Sequence, residues 1–585
     1  MRKTVLALVG ILLACAAAPA QQIIDPDPMG LIQNETSLTI LPGVPGLPVL
    51  IAVAYNNDPT GATGLGVGLS TDAGASWGNV VLPLPLDPGG SGQQMTDAFD
   101  PAAGFDRPGN LFVAQISTLF GYPGANGLFV HRYDSNAGIW FPPATVAYQP
   151  AAAGYPDPFY RFNDKCHLAV DTDPNGISPY AGNVYVAWIQ DGGYGVGPWS
   201  DIFFAWSANQ GATWNYPGGS AVPVPINDNP YAPAGIPPFD MANGPNIAVA
   251  PDGRVYVAWT EIDVTQPQAP ATIRMDQSGN GGMTWGPDIN VQTGLLGTPG
   301  NVSTMSRLDA RSRTFPCLAV APAQNPNGTY DLYLVYASDP DGAGPDEADV
   351  FFTMSPLAGV LWTMPLRLST DLTPGDNLQP WVKVKPNGWI DVAWYDRRND
   401  PTDTNWDVWI TRSIDGGATW APEVALTGPG FQVPTPHMPW GEYWMGEYLG
   451  LEVDAGFAYV AFTSSVSDSL GDVYFAMIEN YAMSTGAPEM GIAPGDALRL
   501  DCPNPLRAGG RLTFTLPRAG EAELTVFDLQ GRRVRSLARG TRDAGEHRVA
   551  WDGRDDAGQA VASGVYFIRL RAGDERVIRK VALLR

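Results

Sequence analysis

The sequence predicts an all-β protein: a β-propeller of seven (alternatively six) blades followed by a small Ig-like β-sandwich. Three observations carry this. A hairpin motif ending in Trp recurs along most of the chain, an apolar strand pattern recurs with it, and the composition changes near residue 495. The 585 residues include 67 Gly and 55 Pro, and 44% are hydrophobic against 16% charged. That is a turn-rich β composition with ample apolar side chains to bury, not a disordered one.

The chain opens on basic Met1-Arg2-Lys3, an apolar run from Thr4 to Ala17, and small residues Ala18-Pro19-Ala20 before Gln21. Residues 1–20 read as a secretory signal peptide. An alternative is lipidation of Cys15 within Leu12-Leu13-Ala14-Cys15. No later segment approaches the ~18 apolar residues of a spanning helix. The expectation is a secreted or cell-surface protein with no transmembrane segment in the mature chain.

Net charge is −25 and unevenly spread: residues 491–585 hold 17 basic and 12 acidic side chains, and the rest hold 17 basic and 47 acidic. An acidic body argues against nucleic acid as a partner. Cys166, Cys317 and Cys502 follow the signal, too few for a disulfide framework. The four His show no metal-ligand spacing, and no Gly-x-Ser-x-Gly elbow occurs. Zinc-hydrolase and serine-hydrolase chemistry lose most of their support.

The recurring motif is Ser-x-Asp/Asn-x-Gly-x-Ser/Thr-Trp. It occurs around Asp72 and Trp77, Asn209 and Trp214, Asn280 and Trp285, and Asp415 and Trp420, with worn copies ending at Trp140 and Trp362. Asp or Asn accepts backbone N–H groups in the turn, Gly supplies φ > 0, and Trp is expected to bury its ring beside the blade's core. An apolar strand recurs seven times, at Val49–Ala54, Leu111–Gln115, Val184–Trp188, Val255–Trp259, Leu332–Tyr336, Ile390–Trp394 and Ala458–Phe462. With a strand on either side, each unit reads as a four-stranded blade, and an array at this period reads as a propeller. The seventh unit lacks its last strand, which residues near Met29 to Gln33 are expected to supply. The expected divisions are the propeller at 29–480, a linker at 481–495 and the terminal domain at 496–585.

The motif resembles the Asp-box, or BNR, repeat of sialidases and related propellers. The resemblance is specific for architecture, because the repeat is a structural device. The tail carries Pro503-Asn504-Pro505, Val526-Phe527-Asp528-Leu529-Gln530-Gly531, Trp551-Asp552-Gly553, Ser563-Gly564-Val565-Tyr566 and Lys580-Val581-Ala582-Leu583-Leu584-Arg585. That set is similar to the FlgD-type Ig-like domain and to the type A sorting domain of type IX secretion cargo. It implies export through secretion machinery that reads the tail.

Propeller topology puts residues before each first strand and after each second strand on one face. The sialidase resemblance implies an arginine cluster for a carboxylate, an acid, and a Tyr nucleophile with a neighbouring Glu. Candidates are Arg161, Arg313 and Arg397 for the cluster, Asp164 as acid, and Tyr448 with Glu447 or Glu261. The family's Phe-Arg-Ile-Pro motif is missing. Two aromatic loops, with Tyr160 in one and Trp440, Tyr443 and Trp444 in the other, suit a glycan or protein surface. No cofactor is required. The acidic loop with Asp339, Asp341, Asp346 and Asp349 is the candidate for a structural calcium, against a solvated acidic loop. Two functions follow: a binding propeller for glycan or protein ligands, or an exo-sialidase-type glycoside hydrolase.

Overall fold

The structure, a computed structural model, describes residues 21–22, 32–41, 49–58, 64–119, 124–151, 161–192 except 174, 199–228, 240–263, 270–296, 315–339, 348–427 except 372, 374 and 401–404, 430–432, 446–464 and 472–479. In the terminal region it describes 499–501, 506–507, 510–516, 519–527, 532–562, 564–572 and 575–584. The expected signal peptide at 1–20, with Cys15, and the expected linker at 481–495 lie outside these residues.

The chain divides into two compact units, residues 1–480 and 481–585. In the first, seven antiparallel strand groups follow one another along the chain, the third and fourth joined into one sheet by a single parallel pairing of Ser200 with Met241. Their first strands are Ile32–Leu41, Asp97–Phe105, Arg161–Val170, Asp240–Val249, Cys317–Gln324, Asn377–Val384 and Gly450–Val453. Each except Asp240–Val249, which also makes the parallel pairing, is the edge of its sheet, and each packs against the next, the seventh returning to the first. The ring is therefore a closed seven-bladed propeller with the first strands around the axis. The fourth strand of the third blade is reduced to two bridges, Trp206–Asn215 and Phe203–Pro225.

Closure differs from expectation. Gln21 and Gln22 pair with Phe475 and Tyr474 and complete the seventh blade. Ile32 and Gln33 belong to the first blade's own inner strand, and Met29–Leu31 lie outside the described residues. The start of this strand carries no apolar signature, because it opens Ile-Gln-Asn-Glu-Thr-Ser before reaching Leu38, Ile40 and Leu41.

The core is divided into wedges between blades. One cluster joins each neighbouring pair, seven in all, including Leu38, Val53 and Tyr55 of the first blade with Tyr459, Val473 and Phe475 of the seventh. This explains why the second strands are apolar throughout. In Val184–Ile189, Val184, Val186 and Trp188 face the second blade, while Tyr185, Ala187 and Ile189 face the fourth. A strand buried on both faces loses the usual alternation.

The Asp-box turns behave as the motif predicts, with one correction. Asp72 accepts Ser76 N–H at 2.8 Å, and Ser70 Oγ accepts Gly74 N–H at 2.8 Å. The same pairs recur around Asn209, Asn280 and Asp415. The Trp rings, expected to be buried beside their own blade's core, are half-buried. Three of them pack edge-on against the preceding blade's third strand: Trp77 on Phe475, Trp285 on Phe204 and Trp420 on Phe352, at 5.1, 4.7 and 4.9 Å. The box is thus a clamp between blades. Its glycine is required twice over, since Gly417 has φ 86° and an added Cβ would lie 2.5 Å from Phe352.

Inner edges of sheets leave backbone groups to satisfy. Four junctions do so by side chain, from one register position. Ser37 Oγ accepts Ala103 N–H at 2.9 Å, His167 Nδ1 accepts Ile247 N–H at 3.1 Å, Asn246 Oδ1 accepts Leu318 N–H at 2.9 Å, and Cys317 Sγ accepts Val382 N–H at 3.4 Å. Burial, with Lys383 nearby, pushes His167 down to about 3, so it stays a neutral acceptor.

The second unit has its own core of Leu500, Phe514, Leu524, Trp551, Ile568 and Val581. Two sheets face this core, one of three strands and one of five. It is a small β-sandwich, as its short alternating strands predict.

Candidate functional site

Five inner strands carry a β-bulge at one level. Register shifts fall between Asn34 and Ser37, Phe99 and Ala102, Asp164 and His167, Asn243 and Asn246, and Leu378 and Trp381. Within each, one residue is left-handed: Glu35, Asp100, Lys165, Gly244 and Gln379, with φ from 50 to 63°. Only Gly adopts this readily, and each of the others costs on the order of 1 kcal/mol. Four strained polar residues at one level mark a layer that the fold holds together from outside.

Their side chains meet across the axis. Lys165 Nζ lies 3.0 Å from Asp100 Oδ1 and 3.6 Å from Glu35 Oε1, and it pairs with Glu447. All four side chains are buried. Lys165 N–H donates to Asp100 Oδ2 at 3.0 Å, Asp100 N–H to Asn56 Oδ1 at 3.1 Å, and Asn56 Nδ2 to Glu35 Oε2 at 2.9 Å. The Lys165 ammonium also sits 5.8 Å above the Tyr448 ring, which packs on Phe315 at 5.8 Å. Phe315 in turn occupies the space a Cβ on Gly244 would need, 1.9 Å from its ring. Gln379 Nε2 donates to Gly446 O at 2.8 Å. All seven blades contribute to this layer.

The charges sort themselves by burial and proximity. Burial favours the neutral form of Asp100, but the Lys165 ammonium, with hydrogen bonds from Glu35 and Asp164, outweighs it and holds this carboxyl far below the usual range. Burial and then the Asp100 carboxylate push Glu35 well up; burial likewise raises Asp164 against the pull of Lys165. Lys165 is lowered by burial, yet Asp100, Glu35 and Glu447 raise it overall, so it stays an ammonium. Tyr448 is raised, chiefly by burial. Its hydroxyl is buried and has no hydrogen-bond partner among the described residues.

Of the residues singled out from sequence, Asp164, Glu447 and Tyr448 are brought together here. The others are engaged elsewhere or lie outside view. Arg161 donates to Gln190 Oε1 at 3.2 Å. Glu261 pairs with Arg274 at 2.7 Å within the fourth blade. Arg397 is buried over the Trp406 ring at 4.2 Å, beside Asp376 at 3.8 Å. Arg313, Tyr160, Trp440, Tyr443 and Trp444 lie outside the described residues.

The acidic loop is split. Asp341 and Asp346 lie outside the described residues, Asp339 bridges Leu296, and buried Asp349 pairs with Arg367 at 2.6 Å and accepts Ser369 Oγ at 2.9 Å. Among the described residues no three His, Cys, Asp or Glu side chains are grouped to hold a metal ion, and no helix is long and apolar enough to cross a membrane.

Glu35, Asp100 and Gln379 are members of this layer that motif reasoning passed over. A signal existed: Asp100-Pro101, Gly244-Pro245, Phe315-Pro316 and Gln379-Pro380 occupy one register position in four blades.

Below the layer an axial cavity of about 900 Å³ runs towards the Asp-box face, where Leu41, Arg107 and Asn136 border it. Lys165, Phe315 and Tyr448 form its inner end.

Residues 506–575 match the family model of the FlgD Ig-like domain. No curated protein matches the chain by sequence. Among solved structures, the chain is similar to the leech intramolecular trans-sialidase, at 12% identity and TM-score 0.38, over 65% of this chain and 67% of that one. It is similar to the α-L-arabinanase of Penicillium chrysogenum, at 14% identity and TM-score 0.35, over 65% and 93%. It is also similar to PorZ, a surface component of the type-IX secretion system of Porphyromonas gingivalis, at 15% identity and TM-score 0.33, over 91% of this chain and 58% of that one.

Proposed function

We propose that this chain is an exported propeller that binds a glycan or protein ligand without hydrolysing it, delivered to the cell surface or medium by its C-terminal domain. The observation that carries the reading is the charge-paired axial layer around Lys165. A sialidase mechanism asks Tyr448 to attack and Glu447 to take its proton. Here Lys165 neutralises Glu447, and the Tyr448 hydroxyl is buried beneath its neighbours. Of the proposed arginine clamp, Arg397 is committed to Trp406 and Asp376. A partial constellation gives little rate, because proton transfer and attack need every group in reach.

Binding asks less. An aromatic face needs area and orientation, and the loops bearing Tyr160, Trp440, Tyr443 and Trp444 are the ligand surface in this reading. A glycan-array screen of the mature chain tests it. Retention of at least one glycan class is expected, with Trp440→Ala and Trp444→Ala each weakening it roughly tenfold, or about 1.4 kcal/mol. An array blank at micromolar protein would remove the glycan half of the proposal.

A further inference from the structure

The axial cavity is walled unevenly. At one register position, five blades present small residues: Thr39, Gly104, Ala169, Ala248 and Ala319. The sixth and seventh blades place Lys383 and Glu452 there instead, and Trp381 stands two residues before Lys383. All eight border the cavity. Lys383 Nζ and Glu452 Oε1 are 2.6 Å apart, and both side chains keep part of their surface accessible, 34% and 20%. Trp381 is half-buried, tilted against His167 at 6.0 Å.

We propose that this cavity is a second binding site, entered from the Asp-box face, for a neutral saccharide of one to a few rings. Its volume falls within the roughly 300–1,000 Å³ of ligand pockets. The small residues leave room on one wall, while the opposite wall offers an aromatic face and a donor–acceptor pair. A sugar ring matches that pairing: its C–H face stacks on Trp381, and neighbouring hydroxyls donate to Glu452 and accept from Lys383. Neither charge has to be stripped of its partner, because Lys383 and Glu452 stay paired while each keeps bonding capacity to spare. A formally charged ligand would break that pair, so the site selects against it. This site rests on Trp381, Lys383 and Glu452 and on none of Tyr160, Trp440, Tyr443 and Trp444, so a glycan array blank at micromolar protein leaves it untouched.

The test is saturation-transfer NMR with calorimetry on the mature chain. The probes are methyl β-D-glucoside, methyl β-D-xyloside, N-acetylglucosamine and anionic N-acetylneuraminic acid. At least one neutral probe is expected to bind at millimolar concentration or below, with N-acetylneuraminic acid at least tenfold weaker. Lys383→Met and the isosteric Glu452→Gln should each weaken binding at least tenfold at unchanged circular dichroism. Ala248→Phe, which fills the cavity, should abolish it. No binding by any neutral probe, or binding that survives Lys383→Met and Glu452→Gln, would overturn the proposal. Preference for the anionic probe would overturn it as well.

Discussion

Replacing Lys165 with Met is expected to destabilise the propeller by about 3–5 kcal/mol at pH 8, the cost of leaving buried carboxylates without their cation. The deficit should shrink markedly by pH 4.5, for reasons the charge distribution makes explicit. In the wild-type layer Asp100 lies below its ordinary range. It therefore contributes stability that is present above its unfolded pKa, about 4, and lost as pH falls through the folded value. Lys165 lies above its ordinary range, so its contribution is present below about 10.5 and lost only as pH rises through the folded value. Both contributions are in place across neutral pH. Without the ammonium, burial acts on Asp100 against only the hydrogen bonds from Glu35 and Asp164, and the carboxyl rises. The sign then inverts: the folded variant takes up protons more readily than the unfolded chain and loses stability as pH rises above about 4. Urea unfolding of both proteins between pH 4.5 and 8 measures the difference. A constant deficit across that range, or none, would contradict the account of the layer.

Deleting residues 496–585 is expected to abolish delivery to the surface while leaving the propeller folded. The terminal sandwich closes around its own core of Leu500, Phe514, Trp551 and Ile568. Among the described residues, the propeller's seven wedges are built from the first unit alone. Near-ultraviolet circular dichroism of the truncated chain should keep the signature of its packed Trp rings. Surface immunolabelling of cells expressing it should fall to background. Normal display of the truncated chain would remove the export role from the tail.

The propeller was legible because its repeat is written in backbone chemistry. Asp72, Asn209, Asn280 and Asp415 cap equivalent turns, and only Asp or Asn beside a positive-φ Gly does this in so few residues. The second strands were legible because burial on both faces leaves little room for polar residues. The closing strand was not, since a two-residue pairing by Gln21 and Gln22 has no period to detect. The role of Trp77, Trp285 and Trp420 as clamps between blades was also hidden, because the motif shows the turn and not the neighbour's Phe.

The axial layer was half visible. Topology placed Asp164, Glu447 and Tyr448 on one face, but a list of acids and arginines does not say which are neutralised. That depended on Lys165 reaching three blades at once. A bulge with a left-handed lysine makes this reach feasible, and it is specified by register rather than by residue type.

The central claim is that this layer is charge-paired structure and not a catalytic centre. Turnover of a fluorogenic sialoside by the purified mature chain tests it most directly, with Tyr448→Phe and Glu447→Gln alongside. The account predicts no turnover above the uncatalysed rate in the wild type, and lowered thermal stability in Glu447→Gln, where Lys165 loses one of its carboxylates. Robust turnover abolished by Tyr448→Phe at unchanged stability would contradict it.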